Sequence, residues 1–281
     1  GSNVEGASIE EGSSSVTAPT ETRAANASLD RRLEQVRLRL RLRLDSLISE
    51  VSELVDKVGP ALEHRLRPLG VSALERWPLC LYLISALVCL SASAVYHLFG
   101  TALADGFWNR YLGMWDYSGI IILIVGSFVP VYFYGFYNAC LYRRMYLVAI
   151  SSLGLALFAC TQLDFFYAER WRLLRIGMFL ALAFTGFFPV MHLVFFHEFN
   201  TMVTDLVYRV LLLGLVYIIG VFFYTTGFPE AIAPSKFDIW GASHQWWHVL
   251  VVLAAYLHFR AVVELWVAAS LSHATAVAQG L

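Results

Sequence analysis

Histidines from two distant parts of the chain have the spacing of metal ligands. His244 and His248 lie four residues apart, so on a helix both imidazoles project from one side, about 6 Å apart at Cβ, and two rings can share one cation. His97 can supply a third nitrogen from a neighbouring helix. Three imidazoles with an open fourth position are typical of a catalytic zinc site, and imidazole suits zinc better than magnesium or calcium. The alternative for each histidine is a hydrogen-bonded packing residue within a membrane span.

Asp116 and Ser93 are the candidate catalytic residues. Asp116 is the only acidic residue in its apolar segment, and an ionisable group within a membrane is costly enough to indicate a functional site. Beside a metal its carboxylate can orient or deprotonate a water, whereas without a metal it needs a cationic or hydrogen-bonding partner. Ser93 lies one turn before His97 on the same helical face, where its hydroxyl can bond that water or a backbone carbonyl.

The elements that must bring these residues together are predicted to lie in a membrane. Of the 281 residues, 58% are hydrophobic and only 15% are charged, and the mean hydropathy is +0.62. Soluble domains carry about 25% charged residues, so the composition excludes an ordinary soluble, disordered or collagen-like protein. The net charge of −1 gives no electrostatic reason to expect a nucleic-acid partner. The four cysteines have no CxxC spacing and are predicted to be small buried apolar residues: Cys80, Cys89, Cys140 and Cys160.

Six long apolar segments predict six transmembrane helices. Each approaches or exceeds the ~20 residues that cross a hydrocarbon layer of ~30 Å as a helix, and a chain in lipid must satisfy its backbone internally. The predicted fold class is therefore all-α, a polytopic transmembrane helical bundle. If the spans alternate in direction, the three histidines and Asp116 reach the same membrane face at similar depth. The predicted segments are 78–98, 112–136, 145–162, 174–197, 206–228 and 245–269.

Two regions of different composition precede the first span. The segment 1–29 is rich in Ser, Thr, Glu, Ala and Gly and is predicted to be a disordered tail without a cleavable secretory signal. The next segment has apolar residues at spacings of three and four, which predicts an amphipathic helix, although 37–44 also alternates with the period of a strand. That helix can be a solvated linker, a membrane-surface helix or a self-association element. The predicted regions are 1–29, 30–76, a membrane bundle over 77–272 and a tail over 273–281.

Several other polar residues are predicted to lie outside the site. Arg260 and Glu264 stand four apart in the last span and are expected to neutralise one another. The chain has no GxSxG elbow, no phosphate-binding loop motif and no cysteine quartet, so serine-hydrolase, nucleotide-binding and zinc-finger functions lack support. The histidines that are too distant, peripheral or on the other face are His64, His192, His197, His258 and His273.

Short motifs follow one another in order along the predicted spans. They are Ser93–His97, Asp116–Gly119, Gly126–Pro130, Pro189–His192, Lys236–Trp240 and Ser243–His248. Together they closely resemble the adiponectin receptor branch of the progestin and adipoQ receptor family, which is haemolysin-III-related. The resemblance extends over roughly 77–266.

The resemblance implies a seven-helix membrane protein unlike G-protein-coupled receptors, with a cytoplasmic N-terminus and a zinc ion near the cytoplasmic face. The family's zinc ligands fall on His97, His244 and His248, its water-binding aspartate on Asp116 and its SxxxH serine on Ser93. The wider superfamily includes alkaline ceramidases, and adiponectin receptors are associated with ceramide hydrolysis. The activity implied is therefore cleavage of a lipid amide.

The chain departs from the family in one respect. The family has a further span before the SxxxH helix, and residues 1–76 show no such segment. Short loops carry five basic residues on the histidine face against three on the other, which favours a cytoplasmic histidine face as in the family. Those residues are Arg110, Arg170, Arg172, Arg175 and Lys236 against Arg143, Arg144 and Arg209.

These observations leave three hypotheses. The first is a zinc-dependent ceramidase-like amide hydrolase, with ceramide or a fatty acid held in the bundle cavity. The second is a non-enzymatic receptor or sensor that has a structural zinc and responds to an extracellular ligand. The third is a role in zinc or sterol homeostasis without turnover. The sequence predicts neither an oligomeric state nor a particular organelle.

Overall fold

The chain divides into two compact units, Gly1–Ala61 and Leu62–Leu281. The computed structural model describes residues 31, 34–35, 38, 42, 45, 49, 53, 56–67, 73–100, 106–196, 201–237 and 239–279. Every described residue of the first unit is helical, including Leu38 and Leu42, which confirms the predicted helix over the strand alternative at these positions. The tail predicted for 1–29 lies outside the described residues, and the domain limits drawn from composition stay predictions.

Six helical segments of the second unit are long and apolar enough to cross a membrane. The described residues contain no strand, so the prediction of an all-α bundle with six spans is confirmed. The fourth span consists of two helices separated by a turn at 185–186. The helices are α1 (Trp77–Phe99), α2 (Gly106–Gly135), α3 (Cys140–Thr161), α4 (Arg172–Phe184), α5 (Phe187–Phe196), α6 (Thr201–Thr226) and α7 (Ser243–Ala278).

Helices α2 and α7 form the centre of the bundle. Within the most apolar 18-residue stretch of each span, 61% of the residues are buried in α2 and 56% in α7, against 17–28% in the other four spans. Trp266 of α7 is fully buried, as are Tyr82 of α1 and Tyr132 of α2. Helix α7 has 36 residues and is therefore about 54 Å long, which exceeds the thickness of a bilayer core. It runs well past the predicted end of the last span at residue 269.

Helices α1 and α2 pack closely because glycines of α2 face small residues of α1. A Cβ atom on Gly119 would lie 2.9 Å from the Cα of Cys89, and one on Gly126 would lie 2.0 Å from the Oγ of Ser85. Such small-residue contacts allow helix backbones to approach in lipid. The contact fixes the register between α1, which carries Ser93 and the first histidine, and α2, which carries the aspartate.

The expectation that all four cysteines are buried is wrong. Cys89 is buried and Cys160 is half-buried, but Cys80 and Cys140 are exposed. Lipid accepts a small apolar side chain as readily as the protein interior does. An apolar residue within a span is therefore free to lie on the outside of the bundle.

Candidate metal centre

The structure brings the three predicted metal ligands together at one end of the bundle. His97 lies in the last turn of α1, and His244 and His248 lie in the first two turns of α7. The Nε2 atom of His97 is 3.2 Å from that of His244 and 3.2 Å from that of His248, and the latter two are 3.0 Å apart. Among the described residues these three form the one group of three or more histidine, cysteine or acidic side chains that is close enough to hold a metal ion.

Hydrogen bonds alone cannot satisfy this triangle of nitrogens. In a neutral imidazole each nitrogen is either a donor or an acceptor, so among three mutually adjacent Nε2 atoms at least two are of the same kind. One contact of the triangle then always sets two lone pairs or two N–H groups against each other. A cation at the centre removes the conflict, because all three nitrogens can then direct their lone pairs at it.

The dimensions of the triangle also fit a tetrahedral metal. Zinc binds histidine nitrogens at about 2.0–2.1 Å, which places two ligands of a tetrahedral site about 3.3 Å apart. The observed Nε2 separations of 3.0–3.2 Å are close to that value. His97 and His244 are exposed and His248 is half-buried, so the group is accessible.

The two candidate catalytic residues lie beside the histidines but outside the triangle. Ser93 is buried, one turn below His97 on α1. Its side chain and the ring of His97 both lie close enough to Asp116 to stabilise its carboxylate. The Asp116 carboxylate therefore lies beside the candidate site. The catalytic roles of the pair stay predictions.

Most residues set aside at the sequence level have partners of their own. His258 is buried, and its Nε2 is 2.9 Å from the carbonyl oxygen of Ser127. The Nδ1 of His192 is 2.7 Å from the Tyr146 hydroxyl. His197 lies outside the described residues.

The expected pairing of Arg260 with Glu264 is incomplete. The Nη2 of Arg260 lies 3.9 Å from one carboxylate oxygen of Glu264, whereas Arg209 of α6 makes a closer ion pair with the other oxygen. Arg209 lies within a helix and not in the predicted loop. The carboxylate therefore joins α6 to α7 as well as neutralising its neighbour within α7.

Arg175 is buried at this end of the bundle, a position that differs from the predicted loop. It is only 6% exposed and lies in α4. Its Nη1 donates to the carbonyl of Phe166, its guanidinium lies 5.0 Å from the ring centre of Tyr117, and its Nε has no hydrogen-bond partner among the described residues. The available signal was an arginine inside a predicted apolar span, since such a charge is expensive.

Aromatic rings lie between Arg175 and the histidines. Tyr117, whose ring lies under the Arg175 guanidinium, has Tyr224 as a neighbour, and the ring of Tyr224 lies 5.9 Å from that of His244. Arg172 donates to the carbonyl of Tyr224 at 3.1 Å. Ring contacts and this hydrogen bond thus connect α2, α4, α6 and α7 at the end of the bundle that carries the triangle.

Comparison with known proteins places these residues in a matched region. A family model described as haemolysin-III related matches residues 60–259, which include all five predicted site residues. The chain is 34% identical over 210 residues to an adiponectin receptor protein of Drosophila melanogaster, covering 74% of this chain and 47% of that protein. It is 35% identical over 209 residues to heptahelical transmembrane protein 4 of Arabidopsis thaliana, covering 74% and 54%.

A shorter relative is covered more completely. Over 196 residues the chain is 34% identical to heptahelical transmembrane protein ADIPOR2 of Oryza sativa subsp. japonica, covering 69% of this chain and 83% of that protein. The chain spans about half the length of the two longer relatives, 47% and 54%.

Proposed function

This chain belongs to the haemolysin-III-related family of multi-pass membrane proteins, and on that premise we propose that its three histidines hold a zinc ion for hydrolysis of a ceramide-like lipid amide. The observation that carries the proposal is the triangle of Nε2 atoms at 3.0–3.2 Å. Three imidazoles leave a fourth position of a tetrahedral zinc open, which is typical of catalytic rather than purely structural sites.

The chemistry divides between the metal and the residues around it. A zinc ion held by His97, His244 and His248 supplies Lewis acidity toward a carbonyl oxygen and acidifies water. The Asp116 carboxylate accepts a proton from the attacking water as general base. Ser93, whose side chain lies beside that carboxylate, has the role of orienting it toward the site.

The substrate class follows from where the site lies. The triangle is at one end of an apolar bundle, so a long acyl chain can lie among lipid-facing and interior side chains while its amide reaches the histidines. Hydrolysis breaks the amide C–N bond, adds the hydroxyl of water to the acyl carbon and transfers a proton to the nitrogen. The products are a fatty acid and a sphingoid base, both of which partition into the membrane.

We further propose that the histidine face is cytoplasmic. The exposed basic residues of the short segments at that end include Arg110, Arg170 and Lys236, and cytoplasmic loops carry an excess of lysine and arginine. Arg175 does not contribute to this excess, because it is buried in α4.

A second candidate function is a receptor in which the zinc is structural and an extracellular ligand provides the signal. Similarity to the adiponectin receptor protein of Drosophila melanogaster favours it. In that case the triangle stabilises the contact between α1 and α7, and Asp116 has no role in turnover.

The experiment that separates the two functions uses purified full-length protein in lipid. We expect one zinc per chain by metal analysis and release of fatty acid from ceramide. Asp116→Asn is expected to retain zinc and to lose hydrolysis by about 10²–10⁴-fold. Asp205→Asn, which changes an exposed acid of α6, is the matched control and is expected to retain both.

The outcomes discriminate directly. Full zinc occupancy without hydrolysis in the wild type supports the structural-zinc receptor. Wild-type protein that holds no zinc when purified with zinc present contradicts both functions.

A further inference from the structure

Glu230, in the loop between α6 and α7, accepts two hydrogen bonds from the first residue of the helix that carries His244 and His248. The carboxylate of Glu230 accepts a hydrogen bond from the backbone N–H of Ser243 at 2.7 Å through one oxygen, and from the Ser243 hydroxyl through the other. Ser243 is the first residue of α7 and directly precedes His244. Both bonds therefore act on the residue next to a candidate ligand, one through its backbone and one through its side chain.

Gln245, on the other side of His244 in sequence, forms two hydrogen bonds with the same loop. Its Oε1 accepts from the N–H of Gly241 at 2.7 Å, and its Nε2 donates to the carbonyl of Ile239 at 2.8 Å. Gly241 has a φ of +79°, a left-handed conformation that favours glycine. The side chain of Gln245 thus holds a tight turn immediately before the helix.

These contacts replace an ordinary helix cap. The N-cap residue Ala242 has no side chain that can accept a hydrogen bond, and no side-chain cap is present at this position. The first N–H groups of a helix lack intrahelical partners, and a negative charge is favourable near them. Glu230 supplies both an acceptor and a charge, although it is 13 residues away in sequence.

Glu230 acts on the candidate ligand through its neighbour. Its carboxylate bonds Ser243, which directly precedes His244, and is not a member of the histidine triangle. Ser243 and Gln245 flank His244, so fixing both neighbours fixes the backbone from which the imidazole projects. A metal site binds its ion more tightly when its ligands are already held in place. The contacts of Glu230 and Gln245 with residues 239–243, called the clasp below, can therefore determine the metal affinity without touching the ion.

We propose that Glu230 and Gln245 are positioning residues that hold His244 in the geometry required for metal binding. The identity of the metal as zinc rests on the proposed function. The clasp itself rests on the four hydrogen bonds that Glu230 and Gln245 make with residues 239–243.

The test measures zinc affinity by competition with a chromogenic chelator on full-length protein in lipid. Glu230→Ala and Gln245→Met are each expected to weaken zinc binding by about tenfold, the lower end of the range for residues that orient ligands. Glu230→Gln keeps one carbonyl acceptor and is expected to recover part of the loss. Glu53→Gln, which removes an exposed acid paired with Lys57 in the first unit, is the matched control and leaves the affinity unchanged.

A double-mutant cycle separates positioning from general destabilisation. Ser243→Ala removes the hydroxyl that donates to Glu230, so Ser243→Ala in the Glu230→Ala background is expected to cost less than Ser243→Ala alone. The d–d absorption spectrum of the cobalt-substituted protein is expected to change in Glu230→Ala and not in Glu53→Gln. Variants are compared well below their melting temperatures, so that lower stability alone does not change either readout.

Different results would overturn the positioning role of Glu230 and the proposed function. Unchanged zinc affinity and cobalt spectrum in folded Glu230→Ala overturn the positioning role while the metal centre stands. If wild-type protein binds no zinc, the proposed function fails, and hydrogen exchange of residues 239–248 in metal-free protein decides the positioning role. Faster exchange in Glu230→Ala supports the clasp, and equal exchange overturns it.

Discussion

The two ends of the bundle treat their polar groups in opposite ways. At the end opposite the histidines, the indole N–H of Trp266 donates to the carbonyl of Leu74 at 2.9 Å, and the N–H of Leu74 donates to the Ser270 hydroxyl at 3.1 Å. The Tyr134 hydroxyl donates to the carbonyl of Glu75 at 2.7 Å. These donors and acceptors match one another and leave nothing for a ligand to satisfy.

At the histidine end, some polar groups of the described residues are not satisfied by hydrogen bonds. Its three Nε2 atoms form a ring that hydrogen bonds cannot satisfy, and the buried Nε of Arg175 has no partner among the described residues. Buried polar groups without partners are costly. The comparison teaches that one end is built for stability, while the other holds groups whose satisfaction requires a ligand.

The largest effect on folding is expected at the paired end. Trp266→Ala removes a fully buried indole and its hydrogen bond and should lower the free energy of unfolding by about 3–5 kcal/mol. Denaturant unfolding in mild detergent measures it. Bound zinc should protect the remaining folded fraction as it does in wild type, and loss of zinc affinity in that fraction would contradict the separation of the two ends.

The largest effect on metal binding is expected at the other end. His244→Ala removes one of three ligands and should weaken zinc binding by more than the ~100-fold that changes around a ligand can reach. His64→Ala, an exposed histidine outside the triangle, is the control. Equal zinc content in both variants would show that the triangle does not bind the metal.

Substitutions of two arginines, Arg209 and Arg175, are expected to have intermediate effects on stability. Arg209→Met leaves Glu264 with only its more distant partner, Arg260, and should cost about 1 kcal/mol, as interhelical polar contacts in membranes do. Arg175→Met replaces a buried cation with an unsatisfied Nε and should leave the stability of the ligand-free protein equal or higher. Thermal unfolding of the pair decides, and the reverse order would contradict the assignment of roles.

The smallest expected effect is a loss of stability at the start of α7 in acid. Hydrogen bonding from the Ser243 side chain holds the pKa of Glu230 below its ordinary value of 4.5. A carboxyl whose pKa is depressed by folding stabilises the folded state fully above its unfolded pKa, and the contribution disappears as the pH falls through the lower folded value. The amides at the start of α7 should therefore show lower protection factors, which are exchange rates normalised to the intrinsic rate at each pH, below pH 4.5 in metal-free wild type. Glu230→Gln should lack this pH dependence, and an equal dependence in both would assign the effect to another group.

The spans and the convergence of the histidines follow from sequence because each has a one-dimensional cause. Lipid requires about 20 apolar residues per helix, and alternation of spans then assigns His97 and His244 to one face. The side of a span that faces the bundle is not encoded in this way, since protein and lipid are both apolar. For that reason the exposure of Cys80, the burial of Arg175 and the contact of Arg209 with Glu264 were not predicted.

The clasp was missed for a different reason. Its partners, Glu230 and Ser243, are 13 residues apart in an irregular loop, where no periodic pattern links an acceptor to its donor. Local signals such as a serine or aspartate at the N-cap position would have indicated a cap, but Ala242 occupies that position.

The unbroken length of α7 has a mechanical consequence. Trp266 and Ser270 are bonded to Leu74 near one end of the bundle, and His244 lies on the same helix about 33 Å from Trp266. The fourth span is interrupted by a turn at 185–186, whereas α7 continues without a break. A rigid tilt of α7 about its bonded end would therefore move His244 and His248 together relative to His97 of α1.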